Sequence, residues 1–176
     1  IDLKTDYGEY RDAVDQRLMD FIIQSGYQPY PVPNTFLHKN SETQNRENNV
    51  DQLKNWVEGI HPSALILSGG NDIGEYPARD DTEKYLLTWA KCNKIRVLGI
   101  CRGMQMMAVW DGASLIRIKN HVNVKHKLIP KGEDEEFPLV VNSFHKYTID
   151  SCPKNFKIIA TSKNGSIEAI AHRYLP

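Results

Sequence analysis

The sequence predicts an α/β fold of three layers, a mostly parallel central sheet with helices on both faces, carrying a small antiparallel β appendage. Three observations predict it. Strand and helix patterns alternate through the first two-thirds of the 176 residues. Two segments, Ala64-Leu-Ile-Leu67 and Ile95-Arg-Val-Leu-Gly-Ile100, read as buried parallel strands. The final third changes to short β-rich stretches separated by turn residues.

Taken in order, residues 8–25 bring Val14, Leu18, Phe21 and Ile22 round at helical spacing, with Gly26 where a left-handed cap ends a helix. Tyr27-Gln-Pro-Tyr-Pro-Val-Pro33 reads as a short strand running into a loop, because proline cannot donate to a central ladder. Residues 34–49 form a polar loop. The next helix buries Val50, Leu53, Trp56 and Val57 and ends near Gly59. The strand at 64–67 opens into Ser68-Gly-Gly70. Asp80-Asp-Thr-Glu83 resembles a capping box starting a third helix, which turns Leu86, Leu87 and Ala90 inward. The strand at 95–100 is followed almost at once by a helix from Gly103 to Trp110, so Cys101 falls on the turn between them. Later β segments cover 113–118, 139–141, 157–161 and 166–172, the last two joined through the strong hairpin signal Asn164-Gly165.

Composition bounds the function. Twenty-two basic residues balance 22 acidic ones, so no net positive field exists to hold nucleic acid or an anionic membrane surface, and small molecules become the expected partners. No apolar run is long enough to span a bilayer and no signal-peptide pattern opens the chain, which reads as cytoplasmic. Three cysteines with no short-spaced pair exclude a disulfide framework and a zinc ribbon. Cys92 and Cys152 read as small apolar residues. His121 and His126 invite a metal reading, but no third ligand stands at useful spacing and a solvated β-loop accounts for them, so no metal site is expected. Met104, Met106 and Met107 are expected to pack the helix after Cys101, residues 131–136 to form a solvated acidic loop, and Asp72 and Asp80 to brace a loop and cap a helix.

Cys101 has a different setting. A strand-to-helix turn pushes its side chain out above the carboxyl ends of the strands, where open α/β sheets place their ligands. The adjoining helix N-terminus offers N–H groups and partial positive charge, which favour an anionic sulfur and an oxyanion. Gly99 and Gly103 fit a turn too tight for side chains beside the nucleophile.

Gly99-Ile-Cys-Arg-Gly-Met-Gln105, read with Ser68-Gly-Gly70, resembles the nucleophile elbow and oxyanion strand of class I glutamine amidotransferases. Arg11-Asp-Ala-Val-Asp-Gln-Arg17, Asn71-Asp-Ile, Val141-Asn-Ser-Phe-His145 and Ser166-Ile-Glu-Ala-Ile170 extend the resemblance to the branch containing γ-glutamyl-γ-aminobutyrate hydrolase. The Asp6-Tyr-Gly opening and Pro33-Asn34 are most similar to the γ-glutamyl-CDP-amidate hydrolases of bacterial capsule synthesis within it. The resemblance implies a flavodoxin-like topology and a single domain over residues 1–176. It implies a γ-glutamyl amidohydrolase that needs no cofactor, works on a small γ-glutamyl substrate and is compatible with a homodimer. Cys101 would attack the γ-carbonyl, the N–H groups of Gly70 and Arg102 would hold the oxyanion, and Gln105, Ser143, Phe144 and His145 would contact the glutamyl amino and carboxylate groups. Lys146, where relatives often carry histidine or asparagine, would attract a phosphate-bearing leaving group or stand as a solvated lysine.

The family supplies its general base as a late His-x-Glu pair, and none of the six histidines begins one; relatives also have a first core strand before Ile1. The expectation is that both segments lie outside this sequence. Neither His145, read as a loop residue near the substrate, nor His172, read as the exposed end of a hairpin strand, is expected to replace the base. Two alternatives stay open: a glutaminase subunit supplying ammonia to a partner synthase, and a catalytically inactive homologue acting as a binding protein.

Overall fold

Asp15 fixes where the first helix begins. Its backbone is extended and its carboxylate accepts the Arg17 N–H at 2.9 Å, so α1 runs only over Gln16–Gln24. The expected helix from residue 8 is therefore too long: Tyr10–Asp12 is a strand, β2, paired antiparallel with β1, Asp2–Lys4. The C-terminus of α1 behaves as the sequence predicts. Gly26, at φ +83°, and Tyr27 donate to the carbonyls of Ile23 and Ile22 at 2.9 and 3.1 Å, a paired closure of the last turn.

The computed structural model describes residues 2–4, 6, 8–37, 46–132 and 137–174. They divide into two compact units, Ile1–Pro62 with Gly70–Glu83, and Ser63–Gly69 with Lys84–Pro176. In the first unit residues 27–33 form no strand, contrary to expectation, because alternate prolines at 29, 31 and 33 leave too few donors for a ladder. The Asn34 side chain and amide bind the Asp12 carboxylate at 2.6 and 2.9 Å, opening a 3₁₀ turn at Asn34–Leu37. Residues 38–45 of the polar loop lie outside the described residues. The helix α2, Arg46–Ile60, buries Leu53 and Val57 as its spacing predicts.

The third helix, α3, spans Pro77–Asn93 and starts three residues before the expected capping box. Proline is favoured at a first helical position, where its missing N–H is no loss. Asp80 consequently sits inside the first turn, and its carboxylate accepts the Gly74 N–H at 2.8 Å, bracing the preceding loop. Arg79 and Glu83, one turn apart, form a buried ion pair at 2.9 Å.

In the second unit β3, Ala64–Leu67, and β4, Arg96–Gly99, pair in parallel from Ala64↔Arg96 to Leu67↔Gly99. The later part of α3 buries Leu86, Leu87 and Ala90, and α4, Arg102–Trp110, follows β4 directly. Beyond it, β5, Leu115–Arg117, meets β8, Tyr147–Ile149. The strands β6, Val122–Pro130, β7, Val140–Phe144, β9, Phe156–Ser162, and β10, Ile167–His172, make an antiparallel sheet in the order β10-β9-β6-β7. The predicted hairpin is the β9–β10 connection, with Gly165 at φ +87°.

Neither β6 nor β8 is apparent in the sequence. Along β6 the less exposed positions are Val124, His126 and Leu128, a period-2 face whose middle member is a histidine where an apolar residue would announce a strand. Ala108, Ile149 and Ile167 form a core cluster with Met104, Leu115 and Cys152 packed against it. Burial pushes the Cys152 thiol up, as fits a packing residue. Met106 is fully buried, so Met104 and Met106 pack as expected. Residues 133–136 of the acidic run lie outside the described residues.

Candidate functional site

The turn after β4 is held by three backbone bonds. Ile100 N–H donates to Leu67 O at 2.9 Å, Gly103 N–H to Ile100 O at 2.9 Å, and Gln105 N–H to Cys101 O at 3.1 Å. Closing a strand onto a helix within two residues forces Cys101 to φ 53°, ψ −105°, outside the regions that L-residues favour. Such a conformation costs on the order of 1–3 kcal/mol and persists where the surroundings over-determine it. They do so here. A side chain at position 99 would meet the Met104 nitrogen at 2.6 Å and the Gly103 carbonyl carbon at 2.7 Å, and one at position 103 would collide with the Leu67 carbonyl. The start of α4 is thus pressed onto the ends of β3 and β4, and the thiol carrier is turned outward and exposed.

The loop after β3 lies beside it. A side chain at Gly69 would reach within 3.8 Å of Cys101 Cβ. Gly70, at φ 143°, holds a backbone conformation suited to glycine. Arg102, the other expected oxyanion donor, opens α4 and is buried.

Two of the four substrate-side residues named by the sequence, Gln105 and His145, meet at one carbonyl. Gln105 Nε2 donates to Tyr147 O at 2.8 Å, and His145 Nδ1 lies 2.9 Å from the same oxygen. The Ser143 hydroxyl donates to His121 O at 2.7 Å and is 3% exposed, whereas Phe144 is 61% exposed. Gln105 therefore ties the β7–β8 turn to α4, Ser143 ties β7 to the residue before β6, His145 closes the turn on itself, and Phe144 and Lys146 are exposed.

The structure corrects the reading of His121 and His126. His121 is buried and His126 lies on the inner face of β6, so neither belongs to a solvated loop. They meet His145 and Glu168 in one cluster, whose other two members stand far off in sequence. Glu168 Oε1 is 3.5 Å from His121 Nδ1, and its Oε2 lies 3.6 Å from His126 Nε2 and 3.5 Å from His145 Nε2. The hydrogen bond and charge of Glu168 raise His145 above the ordinary imidazole range against its burial. Burial, reinforced by neighbouring imidazoles, lowers His121 despite Glu168. Burial also pushes the Glu168 carboxyl up, but the hydrogen bond from His145 and the nearby imidazoles outweigh it and the net direction is down. His172, expected at an exposed hairpin end, is half-buried with its ring edge-on to Phe156 at 5.0 Å, and burial lowers it.

An exposed sulfur at a helix N-terminus should alkylate ahead of the other two cysteines. Iodoacetamide near neutral pH is expected to carbamidomethylate Cys101 first by peptide mapping, with Cys152 slowest because burial keeps it protonated. Equal labelling of all three would count against an activating elbow.

The family model described as glutamine amidotransferase class-I matches residues 13–176. A γ-glutamyl-CDP-amidate hydrolase of Campylobacter jejuni is 34% identical over 117 residues, 63% of this chain and 56% of that protein, so the chain spans little more than half of that relative's length. A glutamine-hydrolysing GMP synthase chain of Methanococcus aeolicus is 28% identical over 174 residues, 96% of this chain and 79% of that one. The crystal structure of a Thermotoga maritima glutamine amidotransferase superposes with a TM-score of 0.64 at 22% identity, covering 88% of this chain and 64% of that one. The likeness bears out the flavodoxin-like α/β fold expected from the sequence.

Proposed function

Because the chain belongs to the class I glutamine amidotransferase family, we propose that it is the nucleophile-bearing part of a hydrolase that cleaves a γ-glutamyl amide through Cys101. The observation that carries the reading is the left-handed Cys101, held between two glycines that tolerate no side chain, since backbone strain of this kind collects where a reactive group must be displayed. In this reading Cys101 Sγ gives up its proton to a general base and attacks the γ-carbonyl carbon. The resulting oxyanion is held by the N–H groups of Gly70 and Arg102. As the tetrahedral centre collapses, the C–N bond breaks and the nitrogen leaves protonated. Water then attacks the γ-glutamyl thioester, releasing glutamate and restoring the thiol. Gln105, Ser143, Phe144 and His145 would line the glutamyl side. No helix among the described residues is long and apolar enough to cross a membrane.

The similarity to the Campylobacter hydrolase supports a γ-glutamyl-CDP-amidate as substrate; its processing in the cytoplasm during capsule synthesis is part of the same proposal. The Methanococcus protein, which matches nearly the whole chain, supports a second reading, a glutaminase that hands ammonia to a synthase partner. Steady-state assay of the full-length protein separates them. The first reading expects kcat/KM for γ-glutamyl-CDP-amidate to exceed that for glutamine by at least about 100-fold, since buried polar groups built for one leaving group discriminate that strongly. Faster glutamine hydrolysis that requires an added synthase would overturn it in favour of the second. Inertness toward both, and toward simple γ-glutamyl amines, would leave a binding protein.

A further inference from the structure

We infer that His121, His126, His145 and Glu168 form a binding site for a divalent transition-metal ion, with zinc the best match. The inference does not rest on the proposed reaction, but it gives His145 Nε2 to the ion while Nδ1 faces Tyr147 O, so that side chain can line the glutamyl side only with its ring carbons. Three imidazoles and one carboxylate are donors of the kind zinc takes, and four protein ligands make the closed, tetrahedral arrangement of a structural site.

The spacing fits. Metal–ligand bonds of about 2.0–2.2 Å give a tetrahedron whose edges are about 3.3–3.6 Å. His121 Nδ1 and His145 Nε2 stand 3.3 Å apart, Glu168 Oε2 is 3.6 and 3.5 Å from His126 Nε2 and His145 Nε2, and the second carboxylate oxygen, Oε1, is 3.5 Å from His121 Nδ1. All four donor atoms lie within 4.8 Å of one another, so the widest gap exceeds a tetrahedral edge by no more than about 1.4 Å.

Two of these donor atoms are buried and make no hydrogen bond, His126 Nε2 and Glu168 Oε1, and the Glu168 side chain is 10% exposed. A buried carboxylate oxygen and a buried imidazole nitrogen left in that state are costly, and an ion between them would satisfy both. The outer ring nitrogens have partners that orient the inner ones. His145 Nδ1 is 2.9 Å from Tyr147 O and His126 Nδ1 is 3.3 Å from Lys127 O, so each can donate outward and present Nε2 inward. His121 differs: the Asn164 amide nitrogen faces its Nε2 at 3.1 Å, which places the His121 proton on Nδ1. Binding moves that proton to Nε2 and needs the Asn164 amide to turn, which gives up the bonds its oxygen accepts from the Ser162 hydroxyl at 2.5 Å and the Ser166 N–H at 3.3 Å. The ion would join the start of β6 to the β7–β8 turn and to β10.

The test uses the full-length protein freed of metal by a chelator. Titration with zinc is expected to show one ion per chain, and cobalt(II) to give the intense visible bands of a tetrahedral nitrogen and oxygen site without a thiolate charge-transfer band. His126→Gln should weaken zinc binding by at least about 100-fold while its metal-free circular dichroism matches the parent. Asn164→Asp, which offers His121 an acceptor in place of the N–H, should tighten binding by about 10-fold. A parent protein that binds no zinc, a thiolate band with cobalt, or equal affinity in parent and His126→Gln would each overturn the site. Should His126→Gln misfold, the parent's stoichiometry and cobalt spectrum decide alone.

Discussion

Replacing Cys101 with alanine is expected to lower glutamate release from γ-glutamyl amides by at least about 10⁴-fold, the scale on which enzymes lose rate when a covalent nucleophile is removed. The loss should fall on kcat, because the side chain is exposed at the tip of the turn and contributes to bond formation rather than to packing. Cys101→Gly separates function from fold more sharply. It should be equally inactive, yet its backbone accepts φ 53° without the penalty a Cβ carries in the left-handed region, about 1–2 kcal/mol. Part of that gain is offset by the extra chain entropy of glycine in the unfolded state. Urea denaturation is therefore expected to find the glycine variant at least as stable as the parent, and the alanine variant close to it. A protein that keeps its activity in either variant does not use Cys101 as nucleophile. A glycine variant that loses several kcal/mol would mean that the strain at this residue is absent in solution.

The parts of the fold legible in the sequence are those where one residue decides the local conformation or where apolar spacing is unbroken. Gly26 and Gly165 both adopt the positive φ their turns require, and Ala64–Leu67 and Arg96–Gly99 pair in parallel as expected, although they are not the buried strands their apolar character implies: only Leu67 is buried and Leu98 is 48% exposed. The misreadings have a common cause. Asp15 and Pro77 set helix starts through capping and a missing donor, signals confined to one residue and easily overridden in the eye by the longer apolar pattern around them. In β6 the inner face passes through His126, so the strand's periodicity is carried partly by a residue that reads as polar. For the site, the elbow was readable because strand, cysteine and helix are contiguous. The histidine and glutamate cluster was not, because His121 and His126 acquire their partners only when β6 pairs with β7 and the β9–β10 hairpin folds against it. Long-range pairing of that kind leaves no trace in local spacing.

Gly103→Ala is expected to unfold the elbow, since the closest approach to an added Cβ among the glycines compared is at position 103. The added Cβ would overlap the Leu67 carbonyl oxygen and crowd the Leu67 carbonyl carbon and Cβ at 2.7 Å, and these are atoms of a paired strand that cannot swing aside as a side-chain end would. Relief requires α4 to move off the strand ends, which would also break the Ile100 N–H bond to Leu67 O that sets the elbow. Overpacking a close contact costs about 1–3 kcal/mol and more where backbone must shift, so a loss of about 3 kcal/mol or greater is expected in urea denaturation. Gly112→Ala provides the comparison. Its φ of +94° makes a Cβ strained, but nothing lies within 4 Å of the added atom, so it should lose only about 1–2 kcal/mol. The first substitution carries the steric term without a positive φ, and the second the conformational term without a contact. A gap of at least about 1 kcal/mol, accompanied by slower alkylation of Cys101 in Gly103→Ala, is the signature of a nucleophile displayed by close helix-to-strand packing. Equal losses, with unchanged alkylation, would show that the turn does not depend on that contact.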